Sequence, residues 1–131
     1  MSQAYLFDTN VLIYLLDGED ERILEFIESI PREDRYISSI TRHEVMIGKP
    51  DARERDIFSD EDNQVFNAIN DNFTTVPMSP RIERLAAQRR RQNGGRAPDA
   101  IIAATGLELQ AIIVTRNVKD FKNYPFGVHP I

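Results

Sequence analysis

Short apolar runs alternate with longer amphipathic stretches along the chain, and the period switches between two and about 3.6 residues. Residues 4–7 are apolar and stop at Asp8, which predicts a short buried strand. Thr9 or Asn10 is placed to cap a helix over residues 11–16, broken near Asp17-Gly18. Residues 19–30 predict a second helix with Ile23, Leu24, Ile27 and Ile30 on one face, ended by Pro31. Residues 35–38 read as a second strand. Thr41 then caps a helix that Gly48-Lys49-Pro50 terminates. The next dozen residues are polar and predict a loop. Residues 60–73 predict a helix with Val65, Phe66 and Ile69 inward, and residues 74–76 a third strand. Ser79-Pro80 opens a helix to about Asn93 with Ile82, Leu85 and Ala86 inward, ended by Gly94-Gly95. Pro98 occupies the first turn of an Ala- and Ile-rich, buried helix over residues 99–109. Residues 111–114 are the clearest strand. Residues 117–121 form a helical turn, and residues 126–131 an edge strand weakened by Pro130.

Strands alternating with helices place the chain in the α/β class with a mainly parallel sheet. At 131 residues, one domain over 1–131 is expected, and 41% hydrophobic residues suffice for its core. There are no repeats or linkers.

Composition then narrows the chemistry. The absence of cysteine excludes disulfides, thiolate catalysis and Cys-based zinc sites. Only His43 and His129 carry imidazole, so a bound metal would be held by oxygen, which suits Mg²⁺ or Mn²⁺. No apolar run reaches the ~20 residues of a membrane span, and the N-terminus has no signal-peptide pattern, so a soluble cytoplasmic protein is expected. The net charge of -5 argues against nucleic acid, but the charge is unevenly distributed. Residues 81–96 hold six arginines and one acid, Glu83, whereas residues 49–62 hold three bases and six acids.

Four acids stand beside strand ends or helix starts: Asp8, Glu44, Asp99 and Asp120. In an open α/β sheet, ligands bind beyond the carboxyl ends of the strands. Asp8 ends the first strand, Glu44 lies early in the helix after the second, and Asn117 and Asp120 follow the fourth. Asp99 precedes a strand, but its helix must run antiparallel to that strand in a right-handed crossover, which returns Asp99 to the same edge. Clustered carboxylates repel unless a cation neutralises them. Each acid also has a plainer explanation. Asp8 can be a helix-entry residue, Thr41-x-x-Glu44 a capping box, Asp99 a first-turn acid, and Asn117-x-x-Asp120 a cap with its acid. The joint placement on one rim is what favours a hard-metal site and phosphodiester chemistry.

The segments Leu6-Phe7-Asp8-Thr9-Asn10-Val11-Leu12, Ser39-Ile40-Thr41-Arg42-His43-Glu44-Val45-Met46-Ile47-Gly48, Pro98-Asp99-Ala100-Ile101-Ile102-Ala103-Ala104-Thr105 and Val114-Thr115-Arg116-Asn117-Val118-Lys119-Asp120-Phe121 resemble, in order and spacing, the motifs of PIN-domain ribonucleases. They look most like the VapC toxins of type II toxin–antitoxin systems. The resemblance implies a three-layer α/β/α fold, Mg²⁺- or Mn²⁺-dependent endoribonuclease activity on RNA, a homodimer and a small antitoxin partner. By position it makes Asp8, Glu44 and Asp99 metal ligands. Asn117 stands where many members have Asp, and Asp120 is then the candidate fourth carboxylate. Thr9 and Asn10 would orient Asp8 or a water, and Thr115 would act similarly.

Arg89, Arg96 and Arg116 are candidate RNA-phosphate contacts, although Arg89, Arg90 and Arg91 cannot all share one helix face. A solvated helix end with favourable dipole charges explains the same arginines. His43 points away from Glu44's face, and Phe7, Phe26, Phe66 and Phe73 are expected in the core. The leading hypothesis is a nuclease in which water attacks a phosphodiester in line, leaving a 5′-phosphate and a 3′-hydroxyl. A dehalogenase-like phosphatase would need an Asp where Asn10 stands. The remaining alternative is a non-catalytic PIN scaffold that binds RNA or protein, for which Asn117 is the argument.

Overall fold

The computed structural model describes residues 2–18 and 20–131. Five strands, β1 (Tyr5–Phe7), β2 (Arg35–Ser38), β3 (Thr74–Val76), β4 (Ile112–Thr115) and β5 (Val128–Pro130), form one sheet in the order β3-β2-β1-β4-β5. Every pairing is parallel. Six α-helices among the described residues connect them: α1 (Thr9–Asp17), α2 (Glu21–Glu28), α3 (Ser39–Ile47), α4 (Asp60–Asn72), α5 (Pro80–Asn93) and α6 (Ala97–Leu109). Short 3-10 turns occupy Arg32–Asp34, Pro50–Ala52 and Val118–Phe121. Glu19, expected to start the second helix, lies outside the described residues.

Side chains alternate across the central strands, as the two-residue period requires. Phe7, Ile37 and Val114 face a core built with Val11, Leu12, Ile23, Ile27 and Ile69 from α1, α2 and α4, and with Phe73 just after α4. Leu6 and Ile113 face the opposite layer, where they meet Ile102, Ala103, Phe121 and Tyr124. Helix on one face and helix on the other make the three-layer α/β/α arrangement. Beyond it, Ile82 and Ala86 of α5 pack on Ala100 and Ala104 of α6, where small residues let the two helices lie close. Among the described residues no helix is long and apolar enough to cross a membrane.

The structure corrects several local expectations. α1 is capped by Asp8, not by Thr9 or Asn10: Asp8 is extended at φ -71 and ψ 155, and its carboxylate accepts from the Thr9 amide. α3 is capped by Ser38, whose hydroxyl accepts from Ile40 N at 3.2 Å. Thr41 is therefore inside the helix, and Thr41-x-x-Glu44 is not a capping box. Leu24 and Phe66, expected inward, are exposed. The Arg42 guanidinium covers Phe66 at 4.8 Å from the ring centroid, a cation–π contact that removes the need to bury it. Asp62 is buried instead, because Arg55 grips both its oxygens at 3.0 and 2.9 Å and so folds the 49–60 segment back onto α4.

Candidate active site

β1 ends at Phe7, and the chain turns into α1 at Asp8, which is only 4% exposed. Its Oδ1 accepts from Thr9 N at 2.8 Å, and its Oδ2 from the Thr115 hydroxyl at 2.7 Å. The register of β1 against β4 pairs Phe7 with Val114, so the residues after each, Asp8 and Thr115, meet at the carboxyl end of the sheet. The Thr115 hydroxyl also accepts from Asn117 N at 2.9 Å, which ties the next turn to the same point. Burial raises the Asp8 pKa. The bonds from Thr115 and Thr9 pull it back, and the charges of Asp120 and Glu44 push it up again.

Glu44 reaches the same edge from α3. Its Oε1 accepts from the Thr9 hydroxyl at 2.7 Å, and that hydroxyl also pairs with the buried Thr41 hydroxyl at 3.1 Å. Its Oε2 lies 3.8 Å from an Arg96 nitrogen, a loose pair with a largely exposed arginine. Thr41 precedes Glu44 by three residues, so the two share a helix face; that spacing is the signal that could have revealed its part in the site.

Asp99 sits in the first turn of α6, where Pro98 is tolerated because the first-turn amides have no intrahelical partner. Its pKa is pushed up to about 6. Burial is the main cause, followed by repulsion from Asp120 and Asp8; Arg96 opposes this, and Glu44 adds to it. Asp120, in the turn Val118–Phe121, is thus the foremost negative neighbour of Asp99. Asp8 and Asp99 each feel the charges of Glu44 and Asp120, and Asp99 also that of Asp8.

Other sequence candidates disperse. The Asn10 side chain accepts from Arg116 N at 3.4 Å and so braces the loop after β4. The Arg116 guanidinium lies over the Tyr14 ring at 4.0 Å and near Asp20 at 4.0 Å, held against α1 and α2. Asn117 makes no side-chain cap. His43 is exposed on α3, and His129 stacks on Phe26 with ring centroids 4.5 Å apart. Arg89 is half-buried and donates to Lys122 O at 2.8 Å, whereas Arg90 donates to Gly95 O at 3.2 Å. Lys119 and Lys122, not foreseen from the sequence, share a pocket with Arg89, Arg96, Asp99 and Asp120.

Among the described residues, no three acidic or imidazole groups are drawn together tightly enough to cage an ion unaided. The donor set still fits a hard cation. It is all oxygen, its members repel one another, and Mg²⁺ takes few carboxylates and completes its shell with water and phosphate.

The chain is thus a parallel α/β/α protein with acidic side chains at the carboxyl edge of its sheet, the edge where open α/β sheets bind ligands. The PIN domain family model matches residues 5–127, and the chain belongs to that family. Among solved structures, a toxin–antitoxin complex from Klebsiella pneumoniae is similar at 30% identity and TM-score 0.78, over 98% of both chains. FitAcB from Neisseria gonorrhoeae is similar at 25% identity and TM-score 0.72, over 95% of this chain and 96% of that one. VapBC2 from Rickettsia felis, bound to a DNA fragment from its promoter, shares the fold at 22% identity and TM-score 0.75, over 97% of each. No curated protein matches the chain significantly.

Proposed function

We propose that this chain is a divalent-metal-dependent endoribonuclease, one nuclease domain over residues 1–131, acting as the toxin of a toxin–antitoxin pair. The observation that carries the reading is the convergence of Asp8, Glu44, Asp99 and Asp120 on one edge, with Asp99 raised to about 6 by burial and by its acidic neighbours. In this reading Asp8, Glu44, Asp99 and Asp120 hold Mg²⁺ or Mn²⁺. When bound, the ion supplies positive charge that polarises the phosphodiester and eases deprotonation of water. Thr115 and the Thr9 amide fix the Asp8 carboxylate, and the Thr9 hydroxyl fixes Glu44, so neither acid must be ordered when substrate arrives. Above about pH 6 Asp99 is ionised and ready to serve as a ligand.

Similarity to a toxin–antitoxin complex supports an antitoxin partner; a homodimer and a cytoplasmic setting complete the proposal. A groove of about 360 Å³ runs from Glu44 between α1, α3 and α4. Its apolar lining includes Ile13, Leu16, Val45, Met46 and Val65, and its acids are Asp17, Glu44, Asp51, Glu61 and Asp62. An amphipathic, cationic antitoxin segment would fit there and carry an Arg or Lys onto the acids. The second reading, a non-catalytic scaffold, is favoured by Asn117 alone.

The test is cleavage of a mixed tRNA and mRNA pool by antitoxin-free protein in Mg²⁺, Mn²⁺ or EDTA, wild type against Asp8→Asn. Cutting that needs metal and disappears in Asp8→Asn is expected. A folded wild type that neither cuts nor binds Mn²⁺ overturns the nuclease and leaves the scaffold.

A further inference from the structure

The acidic rim lies between two cavities of opposite character. On the Glu44 side is the groove just described, with five acids against Lys49 and Arg55. On the Asp99 and Asp120 side is a pocket of about 440 Å³, where those two acids face four cations: Arg89, Arg96, Lys119 and Lys122. We propose that Arg89, Lys119 and Lys122 seat an RNA backbone phosphate adjacent to the cleaved bond, so that the strand leaves the acids over α5 and α6 and avoids the opposite groove. This deepens the nuclease reading and rests on it.

Three features favour a phosphate seat over a merely solvated basic face. Arg89 is half-buried, with burial lowering its pKa, yet among the described residues its one side-chain bond is to Lys122 O. A guanidinium has five donors, so most of its fork remains for a planar, bidentate anion contact. Lys119 and Lys122 come from the turn after β4, not from α5, so the dipole at the α5 C-terminus does not explain their position. Gly94 and Gly95 also line the pocket at φ 71 and 90, with open space where a Cβ would project, so the backbone can approach a ligand closely. The pocket is braced by Asn123 donating to Asn93 Oδ1 at 3.1 Å and by Arg90 holding Gly95 O. RNA laid along the opposite groove would meet its acid excess instead.

The experiment measures binding of fluorescent single-stranded RNA by anisotropy across a salt series, in Mg²⁺, in an Asp8→Asn background that leaves RNA intact. Wild-type cleavage is assayed in parallel. Lys119→Ala and Lys122→Ala, both exposed and expected to fold, should each weaken binding about fivefold. Each should also flatten the slope of log affinity against log salt by about 0.7. Arg91→Ala, an exposed change on α5 outside the pocket, should do neither. Binding unchanged by both lysine substitutions, with wild type still cleaving, overturns the seat and spares the nuclease. Absence of both binding and cleavage in folded protein overturns both.

Discussion

Replacing Asp99 by Asn should stabilise the metal-free protein while abolishing cleavage. The carboxyl moves from 3.8 in the unfolded chain to about 6 in the fold, so folding opposes its ionised form. At about 1.4 kcal/mol per pKa unit the penalty is ~3 kcal/mol at face value. Asp99 is only half-buried, so solvent screening cuts this to about 1 kcal/mol. The sign follows from proton linkage. Between 3.8 and about 6 the folded state keeps a proton that the unfolded state has lost, so stability falls as pH rises through this window. Below it wild type and Asp99→Asn should be equal in this respect. Above it the variant should lead by a constant amount, about 3–5 °C in Tm for a domain of this size. Thermal melts at pH 4, 5, 6 and 8 in EDTA check this. Added Mn²⁺ should raise the wild-type Tm and narrow the gap, because the cation removes the repulsion that the substitution removes. A variant no more stable than wild type at pH 8, or a lead independent of pH, refutes the reasoning.

Three further outcomes are expected. Thr115→Val keeps the shape of a fully buried side chain but strips Asp8 Oδ2 and the Asn117 amide of their partner; it should cost about 1–3 kcal/mol in urea denaturation and move the acidic limb of the pH–rate profile upward. Gly106→Ala puts a Cβ into the Tyr124 ring and hydroxyl, whose bond to Ala111 O anchors the chain after the last turn; overpacking there should cost about 1–3 kcal/mol, read by the same assay. Arg55→Ala releases Asp62 and should speed amide exchange across residues 49–60 while exchange in β1 and β4 stays unchanged.

The central strands β1 and β4 were legible because each is a short apolar run that parallel pairing buries on both faces, whereas the edge strands β3 and β5 are short and partly exposed. Helix faces were less so. The apolar face read from the helical pattern includes Leu24 and Phe66, whereas exposure depends on partners that arrive from other elements. Arg42 covers Phe66, and Arg55 makes burial of Asp62 tolerable. Caps shifted where several Ser, Thr or Asp residues competed. β2 continues to pair through Ser38, which leaves Ser38 as the last extended residue and the cap. In the site, the four acids could be gathered from topology alone, since parallel strands and antiparallel crossovers fix which ends coincide. The hydroxyls were harder to place. Thr9 was matched with Asp8, but its side chain serves Glu44 while its amide serves Asp8. Lys119 and Lys122 acquire meaning only when the turn after β4 packs against the end of α5.

That packing explains how a chain of net charge -5 can still present a surface to a polyanion. Negative charge is concentrated along the groove beside α3 and α4, and Arg89 of α5 lies with Arg96, Lys119 and Lys122 in the pocket that holds Asp99 and Asp120. Glu44 belongs to the first cavity, and Asp99 and Asp120 to the second, so the acids form the boundary between the two. A polyanion and a cationic segment are therefore drawn to opposite sides of the same carboxylates, and they compete only where the two paths meet. An inhibitor bound along the acidic groove need not cover the RNA path; a single cation reaching Glu44 and Asp8 would suffice.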